Sequence, residues 1–545
     1  MKRSLSRLRI LLFLLFLVPF DQILAQDEAA PKEEMHEKQT TRKLKTLLYH
    51  LENAYVDSVD TPELTETAIK AMLKELDPHT KYIPPERVKQ MREPLEGNFE
   101  GIGIRFNILN DTILVVRPIQ GGPSAKLGIR AGDKIVKIDG EKVAGIGISN
   151  SGVKKRLKGE KGTTVEVAIY RQGEPELIHY EIVRDKIPIN SVQASYMAKE
   201  KIGYIKVKRF SGRTMKEFKT DLKKLKKKGM ESLVLDLQGN PGGYLRTGLN
   251  MADQFLKKDR LLVYTEGRAF PRSEKRATKE GLFQEGKLVV MIDESSASAS
   301  EIVAGAVQDW DRGVIIGRRS FGKGFVERPI TLPDSSVVRL TISRYHTPSG
   351  RCIQKPYEKG NMEAYAKEKY RRLKTGELFH KDSIDLPDSL KYKTRIKKRT
   401  VYGGGGIIPD VFVPLDTTGN SDYLEDLRRK RVISDLALTY ADEHRKELKE
   451  RYEDPSDFAK NYKVPGGLKK RIKEKGKKNG VPFDQEGYER SKKFILGQMK
   501  GLLAQNLWGA EAYYWVHNPL RPTYRRALEI LQDGTFKKID LAESR

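Results

Sequence analysis

The stretch that decides the fold lies between residues 287 and 327, and it opens with Leu288-Val289-Val290-Met291-Ile292-Asp293. This short, apolar and partly β-branched run predicts a buried strand. After a polar turn, the residues from Ser298 to Trp310 carry apolar side chains at helical spacing, which predicts a helix that begins at Ser298. A second predicted strand, residues 313–317, leads to Ser320-Phe321-Gly322-Lys323-Gly324, where one lysine lies between two glycines.

Ser298 has two interpretations at this position. Serine is a preferred residue for capping the first turn of a helix, so the residue can be purely structural. A helix N-terminus also offers free backbone N–H groups and the positive end of the helix dipole, which stabilise an anion. A serine that attacks a carbonyl creates such an anion. On the residues alone, both interpretations stay open.

Upstream of this stretch, predicted strands and helices alternate. Residues 202–207 and 233–237 are predicted as strands, with a basic amphipathic helix at 214–228 between them. This order predicts an α/β layer with parallel strands, in which the loops at the carboxyl ends of the strands carry the chemistry. We therefore expect the glycine-containing loop 238–243 and the turn at 296–298 to face one crevice. Downstream, residues 325–347 are predicted as a hairpin.

About 90 residues of short strands and turns begin at Phe99. Their landmark is the run PSAKLGIRAGDKIVKIDG at 123–140, which resembles the PDZ domains of exported proteases. In Gly101-Ile102-Gly103-Ile104, the glycines let successive N–H groups turn inward. Such a loop binds the carboxylate of a peptide C-terminus while the adjoining strand edge pairs with the peptide. The alternative is that Gly101 and Gly103 only shape a turn.

The first 25 residues have the features of a secretory signal peptide. A basic start is followed by the 11-residue apolar run from Ile10 to Phe20, which is too short to span a bilayer, and by Leu24-Ala25 before Gln26. We therefore expect an exported protein, which is periplasmic where the cell has two membranes. Association with the membrane or the cell wall is a further option. Residues 26 to about 40 are predicted as a disordered linker.

Composition narrows the function classes. Cys352 is the only cysteine, so an internal disulfide and thiolate metal clusters are excluded, and we predict neither a metal nor a cofactor. The eight histidines show no paired metal-ligand spacing, and we interpret each as a surface or core residue. The net charge of +28 suits an anionic envelope polymer, anionic lipid or acidic protein, although a solvated lysine-rich surface is the favoured interpretation. Nucleic acid is not an expected partner of an exported chain.

Several motifs in order give the chain a family resemblance between residues 77 and 410: LDPHT-Y, the PDZ run, LDLQGNPGG, SSASASEIVAGAVQD, SFGKG, TPSGRCIQ and GGGGIIPD. The chain resembles the carboxyl-terminal processing proteases, which are S41 serine peptidases. The resemblance implies Ser298 as the nucleophile and Lys323 as the general base. It also implies an oxyanion hole made by the amide of Ala299 and one amide from Gly242 or Gly243. Lys323 must be neutral to accept a proton, so burial must lower its pKa from about 10.4.

Two positions depart from the family pattern. Glu327 stands where the family usually has a glutamine that orients the lysine, and a carboxylate there would raise the pKa of Lys323. We expect Glu327 to be protonated in a dry site or to pair elsewhere, for example with Arg328 or Arg339. Gln238 replaces a common arginine, which we expect to alter loop support rather than chemistry. Asp309 matches a family acid, with a surface carboxylate at the helix end as the alternative.

The predicted fold class is multidomain α/β. It comprises a signal peptide (1–25), a helical N-terminal region (26–95), a PDZ domain (96–186), a protease core with a parallel sheet (187–415) and a basic helical C-terminal region (416–545). The predicted function is an exported serine endopeptidase that captures protein C-termini through its PDZ domain. A catalytically idle PDZ scaffold and a binder of wall polymer are the alternatives. A second copy of the chain and an adaptor protein stay open as partners.

Overall fold

The computed structural model describes residues 32–539, so the predicted signal peptide lies outside the described residues. The chain divides into two units between Ala71 and Met72. The first unit contains helix α1 (Lys32–Ala54) and most of helix α2 (Thr61–Lys74). Helix α1 begins inside the segment predicted as a disordered linker, so that prediction was wrong from Lys32 onward. The second unit begins with strand β1 (Lys81–Ile83) and helix α3 (Pro85–Glu96).

A PDZ domain follows, as predicted. Its elements are β2 (Asn98–Gly101), β3 (Ile104–Leu109), β4 (Thr112–Pro118), α4 (Pro123–Lys126), β5 (Lys134–Ile138), β6 (Glu141–Lys142), α5 (Asn150–Leu157), β7 (Thr164–Tyr170), β8 (Ile178–Val183) and β9 (Asp185–Pro188). The main sheet has the order β3-β4-β5-β7-β8, with β6 on β5, while β2 pairs with β9. Among the described strands, β3 therefore lies at one edge of this sheet.

The protease core is the predicted α/β layer. It contains β10 (Val192–Lys199), β11 (Ile202–Val207), α6 (Thr214–Lys227), β12 (Ser232–Asp236), α7 (Leu245–Ala252), β13 (Leu261–Gly267), β14 (Phe270–Arg276), β15 (Lys287–Ile292), α8 (Ala299–Asp309), β16 (Val314–Gly317), β17 (Phe325–Thr331), β18 (Val337–His346), α9 (Met362–Lys374), β19 (Lys391–Lys393), β20 (Thr400–Tyr402) and β21 (Val411–Phe412), with short 3₁₀ turns at Lys381–Ser383 and Asp388–Leu390. The main sheet has the order β10-β11-β12-β15-β16-β21. It is parallel from β11 to β21, and β10 is antiparallel.

A second sheet, β1-β18-β13-β14 with β17 on β18, includes the hairpin predicted at 325–347.

Both faces of the main sheet are buried. Alternate side chains of a strand point to opposite faces of its sheet, so neighbouring residues of one strand belong to different cores. Leu233 and Leu235 of β12 belong to the core that contains residues of α6, α7 and α8. Val234, between them, belongs to a second core on the other face. That second core is filled by the last long helix of the chain, so the C-terminal region supplies one layer of the protease core.

The C-terminal region is helical, as predicted. Its helices are α10 (Asp422–Arg429), α11 (Val432–Glu443), α12 (Arg445–Arg451), α13 (Pro455–Asn461), α14 (Gly466–Lys478), α15 (Gln485–Trp508), α16 (Ala510–His517), α17 (Pro522–Gln532) and α18 (Thr535–Lys538), with a 3₁₀ turn at Asn518–Leu520. Helices α10 to α16 enclose a core of their own. Leu438 of α11 is buried together with Leu114 and Val116 of the PDZ domain, so this region also contacts the PDZ domain. Within residues 32–539, no helix combines the length and the apolar character needed to cross a bilayer.

Candidate active site

Ser298 lies in the tight turn between β15 and α8. Its backbone has φ 54° and ψ −114°, a conformation that L-residues rarely adopt and that a surrounding structure must hold in place. The N–H of Ser298 donates to the carboxylate of Glu301 at 2.7 Å, one turn further along the chain. The buried strand therefore ends in a strained turn that exposes a serine at the start of a helix.

The loop after β12 reaches this serine, as predicted. A side chain at Gly242 would lie 2.8 Å from the Cβ of Ser298 and 3.0 Å from the backbone nitrogen of Ala299, so only glycine allows this approach. The N–H of Gly242 donates to Oδ1 of Asn240 at 2.9 Å. Among the hydrogen bonds of the described residues, none uses the N–H of Gly243 or of Ala299. Of the two glycines left open by the sequence, Gly243 is thus the one with an available amide.

Lys323 lines the same cavity as Ser298. This cavity has a volume of about 320 Å³, and Gly242, Gly243, Phe325, Val326 and Tyr345 also line it. Gly322 and Gly324 allow close packing of the backbone: side chains there would lie 3.0 Å from Lys355 and 2.8 Å from the backbone nitrogen of Gln354. Burial lowers the pKa of Lys323, and the nearby carboxylate of Glu327 opposes this effect.

Glu327 contacts Lys323 directly. The Nζ of Lys323 lies 3.0 Å from Oε1 of Glu327, and Nε of Arg339 lies 3.3 Å from Oε2. Residues four apart in a straight strand are about 13 Å apart. The contact forms because Lys323 precedes β17 and because the pairing of β17 with β18 shifts by one residue between Val326 and Glu327. Of the two arginines suggested as partners of this carboxylate, Arg339 contacts it, but Glu327 contacts Lys323 as well, so the expectation that it would pair only elsewhere was wrong.

Glu301 and Tyr345 join the serine turn to the lysine turn. Oε2 of Glu301 accepts from the N–H groups of Ser298 and Lys323 at 2.7 and 2.9 Å, and Oε1 accepts from Ser320 Oγ and the N–H of Gly322 at 2.5 and 2.7 Å. The hydroxyl of Tyr345 donates to the carbonyl of Lys323 at 2.7 Å and lies 3.2 Å from that of Ser298. The two turns are thus fixed relative to each other by buried hydrogen bonds.

Lys323 and Ser298 have no side-chain hydrogen bond to each other in the described part of the chain. The ammonium of Lys323 donates to Glu327 instead. The structure therefore brings both side chains into one cavity with the lysine oriented by the carboxylate.

Asp309 is fully buried, so the alternative of a surface carboxylate is wrong. Its Oδ1 accepts from Nη2 of Arg351 at 2.6 Å, and its Oδ2 accepts from the N–H of Ser349 at 2.8 Å. Asp309, the last residue of helix α8, therefore holds the loop after β18 against the end of that helix.

The predicted carboxylate-binding residues lie beside a groove in the PDZ domain. Phe99, Ile102, Gly103, Ile104, Phe106, Lys154 and Leu157 are among the residues that line it, and its volume is about 440 Å³. The groove lies between edge strand β3 and helix α5. Gly101 differs from its neighbours because it pairs with Lys158 in an isolated antiparallel bridge. Gly103 adopts φ 77°, a conformation that favours glycine, and it lines the groove.

His79, Glu301 and Tyr345 contribute to the site but were not predicted from the sequence. Nδ1 of His79 lies 4.0 Å from Oε1 of Glu327, and its Nε2 is 2.7 Å from the hydroxyl of Tyr365. Burial lowers the pKa of His79 to about 3, and the charge of Lys323 adds to this effect. The signal in the sequence is the LDPHT motif, but nothing in its pattern predicts more for this histidine than a surface or core position.

Comparisons with known proteins identify the family of the chain. Residues 201–362 match the model of peptidase family S41, residues 101–182 match a PDZ domain, and residues 423–509 match a family of unknown function. A carboxy-terminal-processing protease of Bartonella bacilliformis is 37% identical over 337 residues, which cover 61% of this chain and 76% of that protein. The carboxy-terminal processing protease CtpA of Bacillus subtilis is 32% identical over 361 residues, which cover 65% of this chain and 75% of that protein. A solved photosystem II D1 C-terminal processing protease is 32% identical, with 58% of this chain and 85% of that chain covered and a TM-score of 0.34.

The fold and the site together define a serine peptidase with a PDZ domain. The chain belongs to peptidase family S41, among the carboxy-terminal processing proteases.

Proposed function

We propose that this protein is an exported endopeptidase that cleaves proteins near their C-termini by Ser-Lys catalysis. Ser298 attacks the scissile carbonyl carbon, its proton passes to Nζ of Lys323, and the amides of Ala299 and Gly243 stabilise the oxyanion. The observation that carries this proposal is the pair of buried bridges, from Glu301 and from Tyr345, that join the serine turn to the lysine turn around one cavity.

Glu327 acts as the orienting partner of Lys323 in this mechanism. A neutral amine keeps two N–H groups, so it continues to donate to Glu327 while its lone pair accepts the proton of Ser298. Arg339 neutralises much of the charge of Glu327 and itself opposes protonation of Lys323. The carboxylate is therefore compatible with a general base, at the cost of a higher pKa than a glutamine would give.

The PDZ groove supplies substrate selection. The open edge of β3 can pair with an extended peptide, and the inward turn at Gly103 can bind its carboxylate, while the apolar side chains of Ile102, Phe106 and Leu157 suit an apolar last residue. The partners are thus proteins recognised by their C-terminal tails. A homo-oligomer, an adaptor protein and an anionic envelope polymer stay predictions, as does the periplasmic location.

The specific alternative is a PDZ scaffold that binds tails without cleaving them, and the contact of Lys323 with Glu327 favours it because a charged lysine cannot act as a base. The test uses the purified mature chain with casein and with a peptide that has a free apolar C-terminus, with products detected by mass. We expect cleavage by the wild type and by the exposed-lysine control Lys359→Met. Ser298→Ala and Lys323→Met should both be inactive.

A protein that binds the tail peptide with a free carboxylate but cleaves neither substrate would be the scaffold. Retained cleavage in Ser298→Ala would refute the assigned nucleophile. The same peptide with an amidated C-terminus should bind more weakly and be cleaved more slowly, because it lacks the carboxylate that the backbone amides of the groove are proposed to bind.

A further inference from the structure

Arg521, in the C-terminal region, contacts the protease core at the start of the loop that reaches Ser298. We call residues 237–243 the oxyanion loop. Nη1 of Arg521 lies 2.8 Å from Oδ2 of Asp236, the last residue of β12, and Nη2 donates to Oε1 of Gln238. Asp236 is fully buried, and about a fifth of the Arg521 side chain (21%) is exposed. One planar guanidinium therefore binds both residues that flank the start of the oxyanion loop.

Asp236 depends on this arginine and on Lys206. Its Oδ1 accepts from Nζ of Lys206 at 2.9 Å, and its Oδ2 also accepts from the hydroxyl of Tyr204 at 2.7 Å. Burial acts to raise the pKa of Asp236, but the charges of Arg521 and Lys206 outweigh it and hold the pKa below its usual range. A buried carboxylate with two cations is costly to leave with one, so loss of Arg521 would force the surrounding groups to rearrange.

Successive residues of the oxyanion loop are hydrogen-bonded to the protease core, so a rearrangement at Asp236 would also shift the part of the loop that lies beside Ser298. The N–H of Gln238 donates to Asp236 at 2.9 Å, and that of Gly239 donates to Asp293 at 2.8 Å. The carbonyl of Asn240 accepts from the N–H of Ala297 at 3.0 Å, next to Ser298. The available amide of Gly243 lies at the far end of this chain of contacts.

The C-terminal helices hold Arg521 in place as part of a packed layer. Helix α17 covers the second face of the main sheet with Tyr524, Ala527, Leu528, Ile530 and Leu531, all of them buried. Asn518 lies in the turn before this helix, and its Oδ1 accepts a hydrogen bond from Nη1 of Arg521 at 2.8 Å. The matched S41 segment ends at residue 362, so this layer comes from outside it.

We propose that Arg521 is a positioning residue for the oxyanion hole, so that the C-terminal helices form a working part of the catalytic core. This inference rests on the proposed function, because it assigns the amide of Gly243 to the oxyanion. A shift of this amide weakens binding of the tetrahedral transition state more than binding of the substrate.

The test compares Arg521→Gln and Arg521→Lys with Arg526→Gln in the full mature chain. Arg526 is the matched control because it lies on helix α17, which Arg521 directly precedes, and pairs with Glu529 and Asp533 at the surface. The readouts are kcat and KM for a tail peptide, the melting temperature, and the affinity for a peptide boronic acid, which forms a tetrahedral adduct with a nucleophilic serine. We expect Arg521→Lys to fold and to lose about tenfold in kcat and in boronate affinity at unchanged KM, because a lysine donates from one atom and cannot bind both partners. Arg526→Gln should match the wild type.

A second set of variants moves the guanidinium from position 521 to position 238, the other partner in the contact between Arg521 and Gln238. Gln238→Arg adds a third cation beside Asp236 and should lower activity, whereas the double variant Gln238→Arg with Arg521→Gln should regain most of the lost kcat. Wild-type kcat in a folded Arg521→Lys variant, or no recovery in the folded double variant, would overturn the inference. An inactive wild type would instead refute the proposed function, so the two failures are distinguishable.

Discussion

The Nζ of Lys323 lies 3.0 Å from Oε1 of Glu327, and Arg339 contacts the other oxygen of the same carboxylate. The pKa of Lys323 is thus set by competing effects. Burial lowers it most, Glu327 raises it, and Arg339 lowers it. Since only the neutral amine accepts a proton, the balance of these groups determines the pH range in which the proposed base can work.

Replacing the two charged neighbours of Lys323 should shift the pH profile in opposite directions. Glu327→Gln removes the group that raises the pKa, so the acid limb of the kcat/KM profile should move to lower pH, with a severalfold gain in activity near pH 6. Arg339→Gln removes a group that lowers the pKa, so the same limb should move to higher pH. The exposed Arg328 on the same strand provides the control Arg328→Gln, which should leave the profile unchanged. An inactive, folded Glu327→Gln would show that the carboxylate itself is required.

Glu301→Gln should disrupt both halves of the site together. The carboxylate accepts four hydrogen bonds, and an amide at this position turns one acceptor atom into a donor that faces N–H or O–H groups. We expect a loss of about 3 kcal/mol in the free energy of unfolding and of at least tenfold in kcat. Denaturant unfolding and peptide cleavage measure these effects, with the exposed Glu285→Gln as the control. A variant as stable as the wild type would contradict the buried bridge.

The sequence predicted the elements whose signal is local. The apolar run at 288–292 and the helical spacing after Ser298 correspond to β15 and α8. The rule that loops at the carboxyl ends of parallel strands converge placed Gly242 beside Ser298. The family resemblance leaves Gly242 and Gly243 as candidates for the second oxyanion donor, and the hydrogen bond from the N–H of Gly242 to Asn240 favours Gly243.

The contacts that the sequence did not reveal are long-range. Arg521 and Asp236 are 285 residues apart, and no periodicity or spacing connects them. The pairing shift at Val326 and Glu327 depends on the register between β17 and β18, which side-chain patterns do not fix to one residue. His79 belongs to a segment before the PDZ domain, so its position near Lys323 follows from tertiary packing alone.

His79 should make the protein less stable as the pH falls. Its folded-state pKa is lowered to about 3, whereas in the unfolded chain it is about 6.5. Between these values the unfolded state binds more protons, so this group's contribution to stability is complete above pH 6.5 and is lost progressively below it. In a Ser298→Ala background, which prevents self-digestion, the melting temperature of His79→Gln should fall less steeply from pH 7 to pH 5 than that of the parent. The exposed His179→Gln should retain the parent's slope, and equal slopes for all three proteins would contradict this assignment.

Gly103→Ala should weaken tail binding by the PDZ groove without affecting the chemistry at Ser298. The residue has φ 77°, and a methyl group there would lie 2.8 Å from Cδ1 of Ile187. Gly173 is a matched control, because it has φ 92° in the same domain but open space around its Cα. Both alanine variants should lose about 1 kcal/mol in stability through backbone strain.

Only Gly103→Ala should shift the loop that faces the peptide carboxylate and lower tail-peptide affinity about tenfold, measured by fluorescence anisotropy. It should raise KM for tail peptides while leaving kcat near the wild-type value, because the groove binds the tail and the reacting groups lie elsewhere. A fall in kcat at constant KM would instead place the role of this loop in catalysis.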